Sequence, residues 1–240
     1  MLARLATAQA EVITTSTDQA YLTGGASLSF SADLLGALDT GRVSVAAYGA
    51  ATSTVTKDSD GFYTSVSASA PMTSVTYDPS NLEIFGMGTS GGLTMTAPYL
   101  KSVTTGGKLT VTDLRADLNV QTIYATVIGS NGVGTVNNFA LWNFSTITGT
   151  TAYAGPGNYV NDISGLSLTT DGFTKFSQAL GLLSLGKAAM NGITDYGTIH
   201  STLNTTLDLG GTPAIPEPST YALMGLGLVG VAFAARRKSV

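Results

Sequence analysis

The stretch TIYATVIGSNGVGTVNNFALWNF, residues 122–144, decides the fold class. Thr122 to Ile128 and Val133 to Phe144 are rich in β-branched and aromatic residues, and Gly129-Ser130-Asn131-Gly132 lies between them. Asn-Gly is the strongest short-range hairpin signal, because a tight two-residue turn needs positive φ at both of its central positions. The pair therefore reads as two antiparallel strands, and the same kind of unit recurs on either side of it.

Upstream, short apolar runs are bounded by Gly, Pro, Asn or Asp. Ala26–Phe30, Arg42–Tyr48, Phe62–Ser67, Met72–Tyr77, Leu82–Phe85 and Leu93–Met95 are strand candidates. In Lys108–Thr112, Leu109 and Val111 share one face, but Leu114, Ala116 and Leu118 continue on the opposite parity. A bulge near Asp113 accounts for the switch. Ser31 can cap a short helix over Ala32–Leu38 that carries Leu34, Leu35 and Leu38. Further on, Phe173, Phe176, Leu180, Leu183 and Met190 recur at helical spacing behind Asp171, a candidate N-cap. This amphipathic helix, broken at Gly181 or Gly186, should cover a sheet face. Thr198–Leu209 then returns to a strand with Ile199, Leu203, Leu207 and Leu209 inward and His200 outward. No βαβ spacing repeats, which argues against a parallel nucleotide-binding sheet. The expected body, residues 11–212, is a mainly β, antiparallel sandwich or open barrel with one covering amphipathic helix.

Composition narrows the function classes. The 240 residues include 0 Cys, so neither disulfides nor thiolate metal sites exist. Only 11% of residues are charged. Leaving out the last stretch removes three bases and one acid, which leaves 8 Lys and Arg against 14 Asp and Glu, a net of −6. A body of that charge is not expected to bind nucleic acid.

Several short patterns touch on chemistry. Asp58-Ser59-Asp60-Gly61 has the opening spacing of a calcium loop, so Asp58 and Asp60 are the candidate calcium ligands. No Glu closes the loop, and a hairpin turn is the plainer expectation. Gly88-Thr89-Ser90-Gly91-Gly92 fits the serine-nucleophile elbow, yet strand-like Leu93-Thr94-Met95 follows where a helix is required. Gly86–Gly91 and Gly225–Gly230 both satisfy the dinucleotide-binding glycine spacing without its strand-to-helix context. Asp39-Thr40-Gly41 matches half of an aspartic-protease pair and occurs once, so a turn is expected there. His200 should stand on a solvated strand face with no carboxylate behind it; Asp208 is the nearest acid on the same strand face. No catalytic residue is assigned, and no metal site beyond the calcium candidate.

The C-terminal stretch has its own physics. Pro216-Glu217-Pro218 cannot propagate a helix inward, Tyr221–Ala235 carries no charge, and Arg236-Arg237-Lys238 forms a cationic stop. An apolar run of this length is shorter than the roughly 20 residues of a full helical span. The basic flank orients it with its C-terminus inside and can snorkel to the interface, lengthening the effective span. At the other end, Ala8-Gln9-Ala10 before Glu11 has the small-x-small form of a signal-peptidase site, so residues 1–10 read as the remnant of a signal peptide.

The three-part order of residues 215–238 resembles the PEP-CTERM sorting signal, placing a sorting signal and membrane anchor at 213–240. That resemblance implies export from a Gram-negative cell, a transient inner-membrane anchor formed by a hydrophobic helix, and recognition by exosortase. Cleavage would fall near Pro216-Glu217-Pro218, with delivery to the cell surface or extracellular matrix and an exopolysaccharide or other matrix component as partner. The structural or adhesive role expected for the body has a ligand-binding module for haem, calcium or glycan as its alternative, and a serine hydrolase as the third. A second stretch, Leu82–Leu93 with Thr94–Pro98 and Gly106-Gly107-Lys108-Leu109, is similar to HtaA-type surface haem-binding domains. The histidine of that family is absent, with Met87 and Thr89 in its neighbourhood. Tyr77, Tyr99 and Tyr124 could ligate iron, although tyrosines in strands more often serve packing.

Overall fold

The structure is a computed structural model that describes residues 11–14, 22–78 and 81–206. The chain divides into Met1–Leu207 and Asp208–Val240, the second of which lies outside the described residues. Its strands in order are β1 (Glu11–Thr14), β2 (Leu22–Phe30), β3 (Ser44–Tyr48), β4 (Thr52–Lys57), β5 (Tyr63–Tyr77), β6 (Ile84–Thr89) and β7 (Gly92–Leu100). There follow β8 (Thr104–Asp117), β9 (Thr122–Gly129), β10 (Gly134–Asn143), β11 (Thr146–Gly149), β12 (Gly157–Ser164), β13 (Ser167–Leu168) and β14 (Gly197–Thr205). Among the described residues three helices accompany them: α1 (Ala32–Gly41), α2 (Thr170–Ala179) and α3 (Ser184–Asn191). The strands form one curled, antiparallel half-barrel sheet, in the order β11-β12-β14-β2-β5-β6-β8-β9-β10-β13, with β1 and β4 added on β5, β7 on β8 and β3 on β7.

The hairpin that decided the class forms as expected. Asn131 and Gly132 have φ of 56° and 81°, and Val133 N–H donates to Ser130 C=O at 3.2 Å. The bulge at Asp113 is also present. Its φ is 53°, the β8–β9 register shifts between Thr112 and Arg115, and its Oδ1 accepts from Gly91 N–H at 3.0 Å. Leu109 and Val111 are buried before the bulge, while Leu114 and Ala116 pack against the same core after it.

Two expected strands prove to be one. All of Phe62–Ser67 except Phe62, and all of Met72–Tyr77, fall in the 15-residue β5. Pro71, which suggests a break, sits where β5 changes neighbours: it pairs with Gly25 of β2, and Met72 pairs with Thr89 of β6. A residue without an N–H costs least at such a handover. Its C=O accepts from Ser90 N–H.

The single covering helix is two helices, separated at Gly181, with α1 as a third. Thr169 rather than Asp171 caps α2: Thr169 Oγ1 accepts from Gly172 N–H at 2.9 Å and donates to Ala140 C=O at 2.8 Å. Asp171 falls in the first turn instead, where a negative charge suits the helix dipole. Ser31 caps α1 by accepting from Leu34 N–H. α1 packs on β5 and α3, while α2 packs on β8, β9, β10 and β13. The core between helices and sheet includes Leu34, Leu38, Leu109, Leu141, Ile163, Leu166 and Phe176. Among the described residues no helix is long and apolar enough to cross a membrane.

Candidate functional site

At one end of the half-barrel the break between α2 and α3 meets the β7–β8 and β9–β10 hairpins, and the backbone is pinned from both sides. Gly181, at φ +64°, supplies a C=O that accepts from both N–H and Oγ1 of Thr105. Thr104 Oγ1 donates to Leu180 C=O at 2.6 Å, and Leu183 N–H donates to Val103 C=O. The Asn131 side chain reaches out of its turn, its Nδ2 donating to Gly106 C=O at 3.0 Å and to Ala179 C=O at 3.1 Å. Gln178 Nε2 returns a bond to Asn131 C=O at 2.9 Å.

This scaffold borders an open groove of about 450 Å³. That is within the roughly 300–1,000 Å³ of small-molecule sites. Its lining includes the half-buried Phe173, the hydroxyls of Thr105 and Thr174, the amides of Asn131 and Gln178, and Lys187. Lys187 is the one charged residue in the lining and forms no ion pair among the described residues. Phe173 and Lys187 stood in the sequence as parts of an amphipathic helix, and nothing local marked them as neighbours of Asn131. A second void, of about 50 Å³, lies in the core between Leu28, Met95 and Trp142. Apolar and small, it is packing space rather than a ligand site.

The residues singled out in the sequence are distributed as follows. Asp58 Oδ1 accepts from Asp60 N–H at 3.0 Å and Phe62 N–H at 2.9 Å, so the β4–β5 turn engages one of its own carboxylates. Among the described residues no three His, Asp or Glu side chains are gathered as a metal site. Asp39 lies in the last turn of α1, not in a free turn, and its carboxylate accepts from Tyr63 N–H. Ser90 lies between β6 and β7, a strand-to-strand turn without the helix of a nucleophile elbow. Tyr77 is buried on β5, Tyr99 is 74% exposed on β7, and the ring of Tyr124 on β9 lies under the Arg115 guanidinium at 4.4 Å. Met87 and Thr89 are buried on β6.

His200 requires a correction. It is exposed as expected, but a carboxylate does stand beside it: Asp162 on β12 pairs directly across from it, with Nδ1 and Oδ1 2.7 Å apart. β12 was not expected from the sequence, because its exposed Val160 and buried Asn161 invert the alternation that would mark a strand there. Ser27 lies opposite His200 on the other side, in β2, and accepts from Ser69 Oγ at 3.1 Å. Carboxylate, imidazole and hydroxyl are thus in the order that acyl-transfer enzymes use. The row nevertheless lies on an open sheet face, with both His200 and Asp162 more than half exposed. Water competes there for every hydrogen bond, and such a pair contributes about 1 kcal/mol at most.

Pro216, Glu217, Pro218, Arg236, Arg237 and Lys238 lie outside the described residues, as do residues 1–10. Among curated proteins none matches the chain. The solved C-terminal domain of HtaA from Corynebacterium glutamicum is weakly similar, at 13% identity and a TM-score of 0.42, over 76% of this chain and 98% of that one. Residues 214–238 match the PEP-CTERM protein-sorting motif, and in that match the chain carries a recognised sorting signal.

Proposed function

We propose that the protein is an exosortase substrate of a Gram-negative cell whose body acts as a structural or adhesive component of the extracellular matrix. The match of residues 214–238 to the sorting motif carries this reading, since it implies an exported, surface-sorted protein. On this reading Tyr221–Ala235 enters the inner membrane transiently, Arg236-Arg237-Lys238 holds it there, and cleavage near Pro216-Glu217-Pro218 releases the body. The half-barrel then needs no active site, only a stable, weakly charged surface. The open groove favours a glycan as the matrix partner; calcium at Asp58 and Asp60 and haem at a tyrosine are the competing ligands. Deleting residues 214–238 tests the assignment. Surface display should be lost while the body still folds; unchanged display would refute it.

A further inference from the structure

We propose that the groove between the β9–β10 hairpin tip and the α2–α3 break binds a carboxylate-bearing sugar within a polysaccharide chain. This deepens the matrix-binding reading and rests on it. The groove is open rather than enclosed, which suits a chain lying across it better than a small molecule engulfed by it. Phe173 is half-buried, its ring held by the core on one side and lining the groove on the other. An aromatic face of this kind accepts the C–H side of a pyranose, an apolar surface that water solvates poorly. Thr105 Oγ1 donates to Gly181 C=O and Thr174 Oγ1 donates to Thr170 C=O. Both hydroxyls have committed their protons and keep lone pairs, so they accept from sugar O–H groups. Among the described residues Lys187 is the only charge in the lining, with three donors and no partner carboxylate. The chain without its last stretch, of net charge −6, does not draw a polyanion from a distance, so discrimination for the acid must be short-ranged, and Lys187 is the group that can provide it. The pinned backbone of Gly181, Asn131 and Gln178 holds these groups in place before binding, which lowers the ordering cost.

The test is calorimetry and proton NMR on the full chain in detergent micelles, with oligogalacturonate, a neutral oligogalactan of equal length, and acetate. Oligogalacturonate should bind at least about fivefold more tightly than the neutral chain, the scale of one exposed ion pair, and acetate should not bind measurably. Sugar C–H resonances should shift upfield under the Phe173 ring. Lys187→Gln should remove the preference for the acid, and Lys187→Arg should keep it. Phe173→Leu should abolish the upfield shift. Three results would each overturn the proposal: no binding of oligogalacturonate at about 10 mM, equal binding of acidic and neutral chains, or an acid preference that survives Lys187→Gln. Export and processing are measured separately, so an empty groove on a correctly sorted protein would refute this inference and leave the sorting assignment standing.

Discussion

The tips of the β4–β5 and β9–β10 hairpins look alike in sequence, each a short polar run ending in Gly, and are used in opposite ways. In Asp58-Ser59-Asp60-Gly61 the carboxylate of Asp58 accepts from amides of its own turn, two and four residues away. In Ser130-Asn131-Gly132 the turn closes by backbone alone, and the Asn131 side chain is free to bind Ala179, 48 residues away. A turn that satisfies itself ends at the surface. One that closes without its side chain can tie distant elements together and form the wall of a site.

The largest expected difference is between the glycines beside these tips. A Cβ at Gly181 would lie 2.3 Å from Thr105 Oγ1 and 2.6 Å from Gly106 C=O, at a φ of +64° that side chains rarely adopt. Gly181→Ala should therefore destabilise by about 2–4 kcal/mol in urea unfolding. A Cβ at Gly61 meets nothing within 4 Å, so Gly61→Ala should cost only the backbone strain of about 1 kcal/mol. Equal losses would dissolve the contrast.

Tyr196, which follows α3 and lines the apolar void in the core, tests by pH the packing behind both tips. Burial raises its phenol from the ordinary 10 to about 12. The folded state holds this proton more tightly than the unfolded chain does, so the stabilisation is whole below pH 10 and is lost as pH rises from 10 to 12. Between those limits the loss should reach about 2 kcal/mol, and Tyr196→Phe should remove that slope from the alkaline unfolding profile.

Smaller effects separate the two polar side chains. Asn131→Gly tolerates the positive φ but drops both bonds to Gly106 and Ala179, and should cost about 1–2 kcal/mol. Asp58→Asn keeps an acceptor oxygen for its turn and should change stability by less than about 0.5 kcal/mol. Chemical denaturation of the two variants side by side checks the order.

The same contrast explains what could be read from the sequence. Strands with one buried face, such as β9 with Ile123, Ala125 and Val127 inward, were legible because burial imposes a period of two. β4 was not, since TSTVTK is an edge strand exposed at nearly every position and nothing enforces alternation. The Asp113 bulge was legible because it flips the parity of the core residues around it. The groove and the Asp162–His200 pair were not, since each depends on residues brought together across tens of positions, by helix packing for the groove and by strand order for the pair. The sorting motif sits at the opposite extreme: local, ordered, and readable without any fold.

The most direct test of surface sorting is the intact mass of the protein recovered from the surface of a cell that encodes exosortase. The recovered chain should end near Pro216-Glu217-Pro218 and lack Arg236-Arg237-Lys238, with the half-barrel complete. A surface protein that retains its sequence through Val240 would contradict it.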